Sequence, residues 1–548
     1  INNLGTLYEL RGQHLLARSL YEKALLLRPD YPQALANLGN TYAAVGDHEK
    51  ARDFYLRSIE LAGDVAEFRH NLGLSYQRQG RMLEAIRAYR GAVALSPDFI
   101  EPLWNKAFCH LYLGDYNEGW RDYECRLRSP VLRKLCFEPE LPMWDGSQLS
   151  AGQTLILVGE QGLGDSLQFV RYARHLLDQG LDVAVCVPDA LVDLFVTSGL
   201  ASRVLPPSRA GELREGVWLP ILSLPGHLDV DASRPLVLPP YLVVDPNRLT
   251  RWRDQLRRDD RPVVAINWQG TPATEVSHLL GRSLPLELFR PLVESFDLSL
   301  VSVQKGPGSE QLNSCTFRHA FVDVQSEIDD IWDFQEIAAI LASCDLVITS
   351  DTAVAHLAAA IGAPTWLLLH HIPDWRWGLD GDSSFWYPSM RLFRQQRQGD
   401  WAGVIDQVIE ALPATLRQPI KKPPKRGIFA GFWRWLEDSV NDPQPEPVGN
   451  AAALPVTTGL DLQDVKRDLA VQCLRKGCLS EARRLFEELL ESGREEPDVH
   501  AGLGAVLLSQ QNDCEAIHYL ELALAARPDH ADTLCNLGTA HYRIGDIE

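Results

Sequence analysis

A short turn between an apolar run and an alanine-rich stretch carries the side chains best suited to chemistry. Ser350, Asp351 and Thr352 follow the apolar run at 346–348, and the stretch after them stops at a glycine. This order predicts a strand, a tight turn and a helix whose first amides suit a phosphate or diphosphate. Thr352 and His356 share one face of that helix. The alternative is that Ser350 or Asp351 only caps a core helix.

A glycine-rich segment, GEQGLGDS at 159–166, is the second candidate. Gly162 and Gly164 predict a flexible loop, and the next helix starts near Asp165. The spacing is not that of the dinucleotide-binding fingerprint. Asp165 is a candidate general base, although a helix N-terminus stabilises the carboxylate and weakens it as a base. It could instead be an N-cap only.

Two cationic side chains follow further apolar runs. Arg282 comes after the segment NWQG at 267–270, and Lys305 lies in QKGPG at 304–308. The guanidinium of Arg282 matches the oxygens of a diphosphate, and the alternative is a solvated surface arginine. Lys305 can offer a point charge to phosphate or contact a nucleobase, and the alternative is an ordinary turn lysine.

The elements that must position these side chains are strands alternating with amphipathic stretches between about 141 and 416. Such alternation predicts parallel sheets with covering helices, in two lobes that divide near 244–250. Ligands of such sheets bind at the carboxyl ends of the strands, where all four segments lie. The predicted strands are TLILV (154–158), DVAVCV (182–187), PVVAINW (262–268), LSLVSV (298–303), DLVITS (345–350) and PTWLLL (364–369).

Both ends of the chain repeat at an interval of 34 residues. Gly5, Gly39 and Gly73 keep this interval, and so do Gly504 and Gly538. The period is that of the tetratricopeptide repeat, in which small residues let paired helices approach. We assign the repeats to 1–128, with a degenerate fourth copy, and to 461–548. Because both ends cut a repeat, we expect the chain to be part of a longer one.

A repeated asparagine suggests what the repeats bind. Asn37, Asn71 and Asn105 keep the 34-residue interval, and an amide can bind a peptide backbone through its donor and acceptor together. The pattern resembles the asparagine ladder of protein O-linked N-acetylglucosamine transferases. We therefore predict that these three residues bind an acceptor peptide. Consensus packing of the repeats is the alternative.

Composition excludes several classes of protein. The net charge of -20 disfavours a general nucleic-acid binder. The ten cysteines are scattered without redox or zinc spacing, which indicates reduced thiols and a cytoplasmic protein. No stretch approaches the ~20 apolar residues of a membrane span. The proline-rich segment 416–460 is a predicted linker, and its basic and aromatic part at 421–435 could weakly contact an anionic membrane or lie against its own domain.

In order and spacing, GEQGLGDSLQFVRY, NWQG, RSLPL, SVQKG and CDLVITSDTAVAHLAAAIGAPTW resemble the glycosyltransferase family 9 domain, in its bacterial members fused to tetratricopeptide repeats. The resemblance implies an α/β GT-B fold of two Rossmann-like lobes, 141–245 on the acceptor side and 246–415 on the donor side, flanked by all-α repeat solenoids. It also implies metal-independent, inverting transfer without a cofactor. Asp165 matches the family's proposed base. The implied donor-binding residues are Gly162, Gly164, Gln269, Arg282, Gln304, Lys305, Ser350, Asp351, Thr352 and His356.

The loop HHIPDWRWGLDGDSSFWYP departs from the heptosyltransferases, so the heptose donor and lipid acceptor do not carry over. Its tryptophans Trp375, Trp377 and Trp386 either stack on a ligand or pack the loop against the core. The sequence as a whole predicts an enzyme that transfers sugar from a nucleotide-sugar to a protein held by the repeats. The alternatives are a transferase acting on glycans or lipid-linked saccharides, with the repeats recruiting partners, and a non-catalytic scaffold.

Overall fold

The computed structural model divides the chain into two compact units, Ile1–Leu61 with Arg434–Glu548, and Ala62–Trp433. The predicted repeat region 1–128 therefore contributes to both units. The predicted linker 416–460 lies outside the described residues except for Leu416, and so does its 421–435 segment. The structure describes residues 1–150, 152–271, 281–416, 466–467, 470–471, 473–474, 479–493, 496–510, 512–527, 533–534, 536–537 and 540–541.

The first unit begins with two helical pairs in which a glycine faces a tyrosine of the partner helix. A Cβ atom at Gly5 would lie 2.5 Å from the Tyr21 ring, and one at Gly39 would lie 2.7 Å from Tyr55. The repeated glycines are therefore required by the close approach of each helix pair. The helices are α1 (Asn2–Leu10), α2 (His14–Leu27), α3 (Pro32–Ala44) and α4 (His48–Ala62).

The second unit begins with two more helical pairs. In the degenerate fourth pair Ala107 takes the position of the repeated glycine, and Gly119 of the second helix lies against Leu111 of the first. The chain then passes through a 3₁₀ turn, Glu124–Arg128, toward the first strand. The helices are α5 (Ala66–Arg78), α6 (Met82–Leu95), α7 (Ile100–Tyr112), α8 (Tyr116–Tyr123) and α9 (Pro130–Arg133).

The first lobe is a four-stranded parallel sheet in the order β3-β2-β1-β4. Its central strand β1 is buried at every position, as expected for a parallel sheet covered on both faces. The strands are β1 (Thr154–Val158), β2 (Asp182–Cys186), β3 (Arg203–Leu205) and β4 (Val217–Pro220). The helices are α10 (Leu163–Phe169), α11 (Arg171–Asp178), α12 (Asp189–Thr197) and α13 (Leu224–His227).

The second lobe is a five-stranded parallel sheet in the order β6-β5-β7-β8-β9. Together the two sheets form the predicted pair of Rossmann-like lobes. The strands are β5 (Val263–Asn267), β6 (Ser299–Ser302), β7 (Leu346–Ser350), β8 (Thr365–Leu369) and β9 (Met390–Arg394). The helices are α14 (Pro246–Leu256), α15 (Arg290–Ser295), α16 (Gln311–Ser314), α17 (Gln325–Asp329), α18 (Phe334–Ser343), α19 (Ala353–Ala360) and α20 (Trp401–Leu416).

The described C-terminal helices return to the first unit. Phe486 and Leu503 are buried in one apolar cluster with Leu16 of α2. The helices are α21 (Leu479–Glu491), α22 (Pro497–Ser509) and α23 (Asp513–Ala526). Among all helices of the described ranges, none is both long enough and apolar enough to cross a lipid bilayer.

A buried ion pair joins the fourth repeat to the first lobe. Arg126 donates to the two carboxylate oxygens of Glu160 at 2.9 and 2.7 Å, and neither side chain is exposed to solvent. Arg126 also donates to the hydroxyl of Ser223, and Glu160 accepts from the amide of Leu222. Because Glu160 is the second residue of the glycine-rich segment, this pair fixes the loop relative to the fourth repeat.

The two lobes are joined through Arg171 at the start of α11. Its guanidinium lies between the rings of Tyr241 and Tyr387, 4.5 and 4.7 Å from their centroids. It also donates to the carbonyl of Trp386 at 2.9 Å and to the hydroxyl of Tyr241 at 3.0 Å. A first-lobe cation thus holds the loop that precedes β9 in the second lobe.

We expect Arg126→Ala to lower the free energy of unfolding by about 3–5 kcal/mol, because the buried carboxylate of Glu160 loses its partner. Chemical denaturation monitored by tryptophan fluorescence measures the change. The control is Arg128→Ala, which removes a side chain that is 49% exposed and lies 3.4 Å from Asp98. Equal small effects of both variants would show that the buried pair does not stabilise this unit. Replacing Arg126 and Glu160 together by methionine should restore most of the loss.

Candidate active site

A cavity of about 700 Å³ lies between the two lobes, and the fourth repeat forms part of its wall. The carboxyl ends of β1, β5, β6 and β7 all lead into it, as the sequence predicted. Ten of the predicted residues line this one cavity: Gly162, Gly164, Asp165, Gln269, Arg282, Gln304, Lys305, Asp351, Thr352 and His356. Ser350 is not among the residues that line it, and its role at the donor site stays a prediction. As the last residue of β7, it is fully buried in the core.

Asp165 projects from the first turn of α10 and is held by groups of both lobes. Its carboxylate accepts a hydrogen bond from the amide of Gly162 at 2.8 Å and a second from Arg376. The side chain remains 20% exposed. Burial raises the pKa of Asp165 above its ordinary value, and the Arg376 guanidinium opposes that rise. The carboxylate is therefore fixed in orientation and open to the cavity on one side.

Arg376, which the sequence analysis did not select, links the lobes at this point. It donates to Oδ1 of Asp374 at 2.9 Å and to Oε1 of Gln168 at 2.6 Å, besides Asp165. Its guanidinium also lies 4.5 Å from the ring centroid of Trp375, and the side chain is 9% exposed. A charged pair, Asp374 and Arg376, inside a tryptophan-rich loop was the available signal in the sequence.

The N-terminus of α19 opens into the cavity, with Thr352 as its cap. Oγ1 of Thr352 accepts from the amide of Val354 at 3.3 Å and donates to Oδ1 of Asn267 at 2.8 Å. Small residues, Ala353 and Val354, line the cavity beside it. An anion can therefore approach the first turn of the helix closely, where the backbone amides and the helix dipole favour negative charge.

Arg282 lies next to this helix end. It donates to the carbonyl of Asp351 at 3.1 Å, and its guanidinium packs directly over Gly270. A Cβ at Gly270 would lie 2.5 Å from Nη2 of Arg282, so the glycine of NWQG provides the space that the arginine occupies. The geometry places a cation at the helix N-terminus, as a diphosphate site requires.

Gln304 and Lys305 hold the neighbouring loops in place. The amide oxygen of Gln304 accepts from the side chain of Asn267 at 2.8 Å and from the backbone amide of Gln269 at 3.0 Å. The ammonium of Lys305 donates to the carbonyls of Ile328 and Asp329. Burial lowers the pKa of Lys305. Both side chains line the cavity, but their observed bonds position the loops around it.

Asp351 adds a second titratable carboxyl to the cavity wall. It is 6% exposed, and burial together with the nearby charge of Asp374 raises its pKa to about 6. Arg282 and Arg376 oppose the rise. The charge of this carboxyl therefore changes just below neutral pH, beside the end of α19.

His356 lies where α10 and α19 make their closest contact. A Cβ at Gly164 would lie 2.9 Å from Cδ2 of His356, so only glycine fits at this position of the loop. Nδ1 of His356 is 2.9 Å from the hydroxyl of Tyr387, and the ring stacks on Trp377. Burial keeps the pKa of His356 well below its ordinary value, so the side chain is neutral.

The tryptophans around the cavity have different environments. Trp375, Trp377 and Trp386 are at most 3% exposed and pack their loop against the core. Trp332 at the rim is 66% exposed although its ring lines the cavity. The sequence analysis did not select Trp332, because nothing in the local pattern shows that this residue is exposed beside a cleft.

The three predicted peptide-binding asparagines are not among the residues that line the cavity. Asn37 belongs to the first unit, where it donates to Oδ1 of Asn2 at 3.2 Å. Asn71 and Asn105 are half-buried in the second unit, and Nδ2 of Asn105 is 3.1 Å from Nε2 of His70. Peptide binding by these residues stays a prediction.

One histidine and two acidic side chains of the fourth repeat form a group whose ligand atoms lie close enough together to hold a metal ion. His110, Glu118 and Asp122 offer ligand atoms within 4.8 Å of one another, and Asp122 pairs with Lys106 at 3.0 Å. This group is not among the residues that line the cavity.

Comparison with protein families and curated proteins agrees with this architecture. Tetratricopeptide repeat models match residues 1–63, 66–99 and 474–531. The model of glycosyltransferase family 9 (heptosyltransferase) matches residues 331–368, which include β7, α19 and β8. Protein FlbA of Caulobacter vibrioides is 25% identical over 338 residues, which are 56% of this chain and 54% of FlbA. The chain thus spans about half the length of the curated relative that it matches.

Solved structures similar to this chain include MamA and YrrB. The crystal structure of MamA is 24% identical with a TM-score of 0.23, over 23% of this chain and 74% of MamA. YrrB, described as a TPR protein with an unusual peptide-binding site, is 18% identical with a TM-score of 0.22, over 24% of this chain and 67% of YrrB. The family matches thus show tetratricopeptide repeats in both end regions of this chain and, between them, a segment similar to glycosyltransferase family 9.

Proposed function

We propose that this protein transfers a sugar from a nucleoside-diphosphate donor to a hydroxyl group of a protein bound by its repeats. The observation that carries the proposal is the single cavity that holds Asp165 of the first lobe and the N-terminus of α19 with Arg282 of the second. A base and an anion site in one cavity are the two parts that such a transfer needs.

The donor diphosphate binds at the end of α19 in this proposal. The amides of the first turn, the helix dipole and Arg282 together balance the charge that develops on the leaving nucleoside diphosphate. Small side chains at 353 and 354 let the phosphate approach. Under this arrangement the leaving group is stabilised by protein groups alone, without a metal ion.

Asp165 accepts the proton of the acceptor hydroxyl as its oxygen attacks the anomeric carbon. The bond from that carbon to the donor phosphate oxygen breaks on the opposite face, so the configuration inverts and the nucleoside diphosphate leaves. Arg376 acts as a positioning residue, since its bonds to Asp165 and Asp374 set the direction of the carboxylate. Its charge also opposes the rise in the pKa of Asp165 that burial causes, and so favours the ionised carboxylate.

Trp332 supplies a stacking surface for the nucleobase. Its ring is 66% exposed at the rim, and Pro307 and Phe334 line the same cavity. An exposed tryptophan beside a cleft offers a base a large aromatic face at little cost in protein order. The base then lies on the second lobe, on the same side as the diphosphate.

We expect Asp165→Asn to lower the transfer rate about 10²–10⁴-fold while binding of the nucleoside diphosphate is unchanged, because only the proton acceptor is lost. The donor is first identified by thermal-shift screening with uridine, guanosine, adenosine and cytidine diphosphates. Transfer is then measured with the matching nucleotide-sugar, with Asp178→Asn on the surface of α11 as control. Full transfer by a folded Asp165→Asn variant would remove Asp165 as the base. Binding without transfer by the unchanged protein would instead indicate a scaffold.

We expect Trp332→Ala to weaken binding of the nucleoside diphosphate about tenfold, since base stacking contributes about 1–3 kcal/mol. Binding of inorganic pyrophosphate should not change, because it has no base. Isothermal titration calorimetry with both ligands separates the two contributions, and Trp332→Phe should retain most of the affinity. Equal weakening toward pyrophosphate would contradict a stacking role.

We expect nucleoside diphosphate to bind more tightly as the pH falls from about 7.5 to about 5.5, relative to Asp351→Asn at the same pH. Asp351, whose pKa is raised to about 6, is charged above this value and repels the diphosphate, and it becomes neutral below it. At each pH, dividing the affinity of the unchanged protein by the affinity of Asp351→Asn removes the effect of protonation of the ligand's own phosphates. A ratio that does not depend on pH would show that Asp351 does not face the bound diphosphate.

A further inference from the structure

Three aromatic side chains of the fourth repeat form one side of the cavity, and we name them the aromatic wall: Trp104 and Phe108 of α7 and Tyr123 of α8. The rings of Trp104 and Tyr123 stack at a centroid distance of 4.6 Å, and those of Trp104 and Phe108 meet edge to face at 4.7 Å. Phe108 and Tyr123 are 6% and 3% exposed, whereas Trp104 is half-buried. The wall is thus a packed surface that presents Trp104 to the cavity.

The aromatic wall is held in a fixed relation to Asp165. Arg126, three residues after Tyr123, lies 4.6 Å from the Tyr123 ring and forms the buried pair with Glu160. Glu160 precedes Asp165 in the same glycine-rich segment. The repeat therefore belongs to the same rigid surroundings as the proposed base.

The chemistry of the wall differs from that of the opposite side of the cavity. Arg282 and the α19 N-terminus offer charge and amides to a diphosphate, whereas Trp104 and Phe108 offer almost only carbon surface. A sugar ring needs several polar partners for its hydroxyl groups, and one face of the Trp104 indole is already covered by Tyr123. The wall is better matched to an apolar side chain, which gains by leaving water.

We propose that the aromatic wall is the acceptor subsite, where an apolar side chain next to the modified hydroxyl residue of an extended acceptor polypeptide packs against Trp104. This inference rests on the proposed function. Asn105 follows Trp104 on α7, and Asn71 lies at the equivalent position of α5. In this proposal the acceptor backbone lies along these two helices and reaches the wall at the end of α7 that carries Trp104. The repeat then selects the acceptor sequence inside the cavity, besides recruiting the protein.

The test uses the full chain saturated with the nucleoside diphosphate from the thermal-shift screen. The probes are fluorescent peptides of the form Ala-X-Ser-X-Ala, with X as leucine, phenylalanine, aspartate or lysine, and fluorescence anisotropy measures their binding. We compare the unchanged protein with Trp104→Ala, Trp104→Phe and the control Trp144→Ala. Trp144 is a half-buried tryptophan that stacks on His227 and does not line the cavity.

We expect the unchanged protein and Trp144→Ala to bind the leucine and phenylalanine peptides at least tenfold more tightly than the aspartate peptide. Trp104→Ala should lose this preference with unchanged nucleoside diphosphate binding, and Trp104→Phe should keep part of it. An unchanged preference in Trp104→Ala would overturn the proposal, as would displacement of the peptides by maltohexaose. Loss of nucleoside diphosphate binding in a folded Trp104→Ala variant would assign the wall to the donor and also overturn it. Failure of the unchanged protein to bind any nucleoside diphosphate would refute the proposed function itself.

Discussion

The site depends on one interaction, the pairing of a buried guanidinium with carboxylates from both lobes. Arg376 belongs to the second lobe, and its partners Asp165 and Gln168 belong to the first. A cation that is 9% exposed is tolerated only when its charge is paired and its donors are satisfied. The pairing requires the lobes to be together, so the direction of the proposed base is defined by the contact between them.

The contact between the lobes is correspondingly specific. Gly164 lets α10 approach His356 of α19 within van der Waals distance, and any side chain at 164 would clash with the imidazole. Arg171 inserts between Tyr241 and Tyr387, and the hydroxyl of Tyr387 in turn meets His356. Two helices with their N-termini at one cavity are thereby locked side by side.

The sequence predicted the parts of this structure that depend on local pattern. Buried strands such as β1 and β5 read as continuous apolar runs, and the turns after them were placed correctly at one cavity. The strands β3, β4 and β9 were not predicted, because the first two are three and four residues long and the third carries exposed Arg391. The 34-residue period predicted the repeats, because each helix pair needs a glycine at the same position, where the helix lies against the tyrosine ring of its partner.

The parts that could not be predicted depend on which distant residues meet. Trp332 has no local pattern that marks it. The charged pair Asp374 and Arg376 is visible in the sequence, but that Arg376 reaches Asp165 is visible only once the loops pack around the cavity. Ser350 still belongs to the buried strand, and the chain turns toward the cavity only at Asp351. The sequence also gave no sign that the fourth repeat forms part of the cavity wall.

The pair Arg126 and Glu160 has a consequence for how this protein can be divided. A boundary drawn between repeats and lobes at about 128–141 follows the change in sequence period, yet it would separate a guanidinium from a carboxylate that is wholly enclosed. A fragment that begins after this boundary would have to fold around a solitary negative charge and an exposed aromatic cavity wall. A fragment that keeps this ion pair therefore has to include the helices of the fourth repeat.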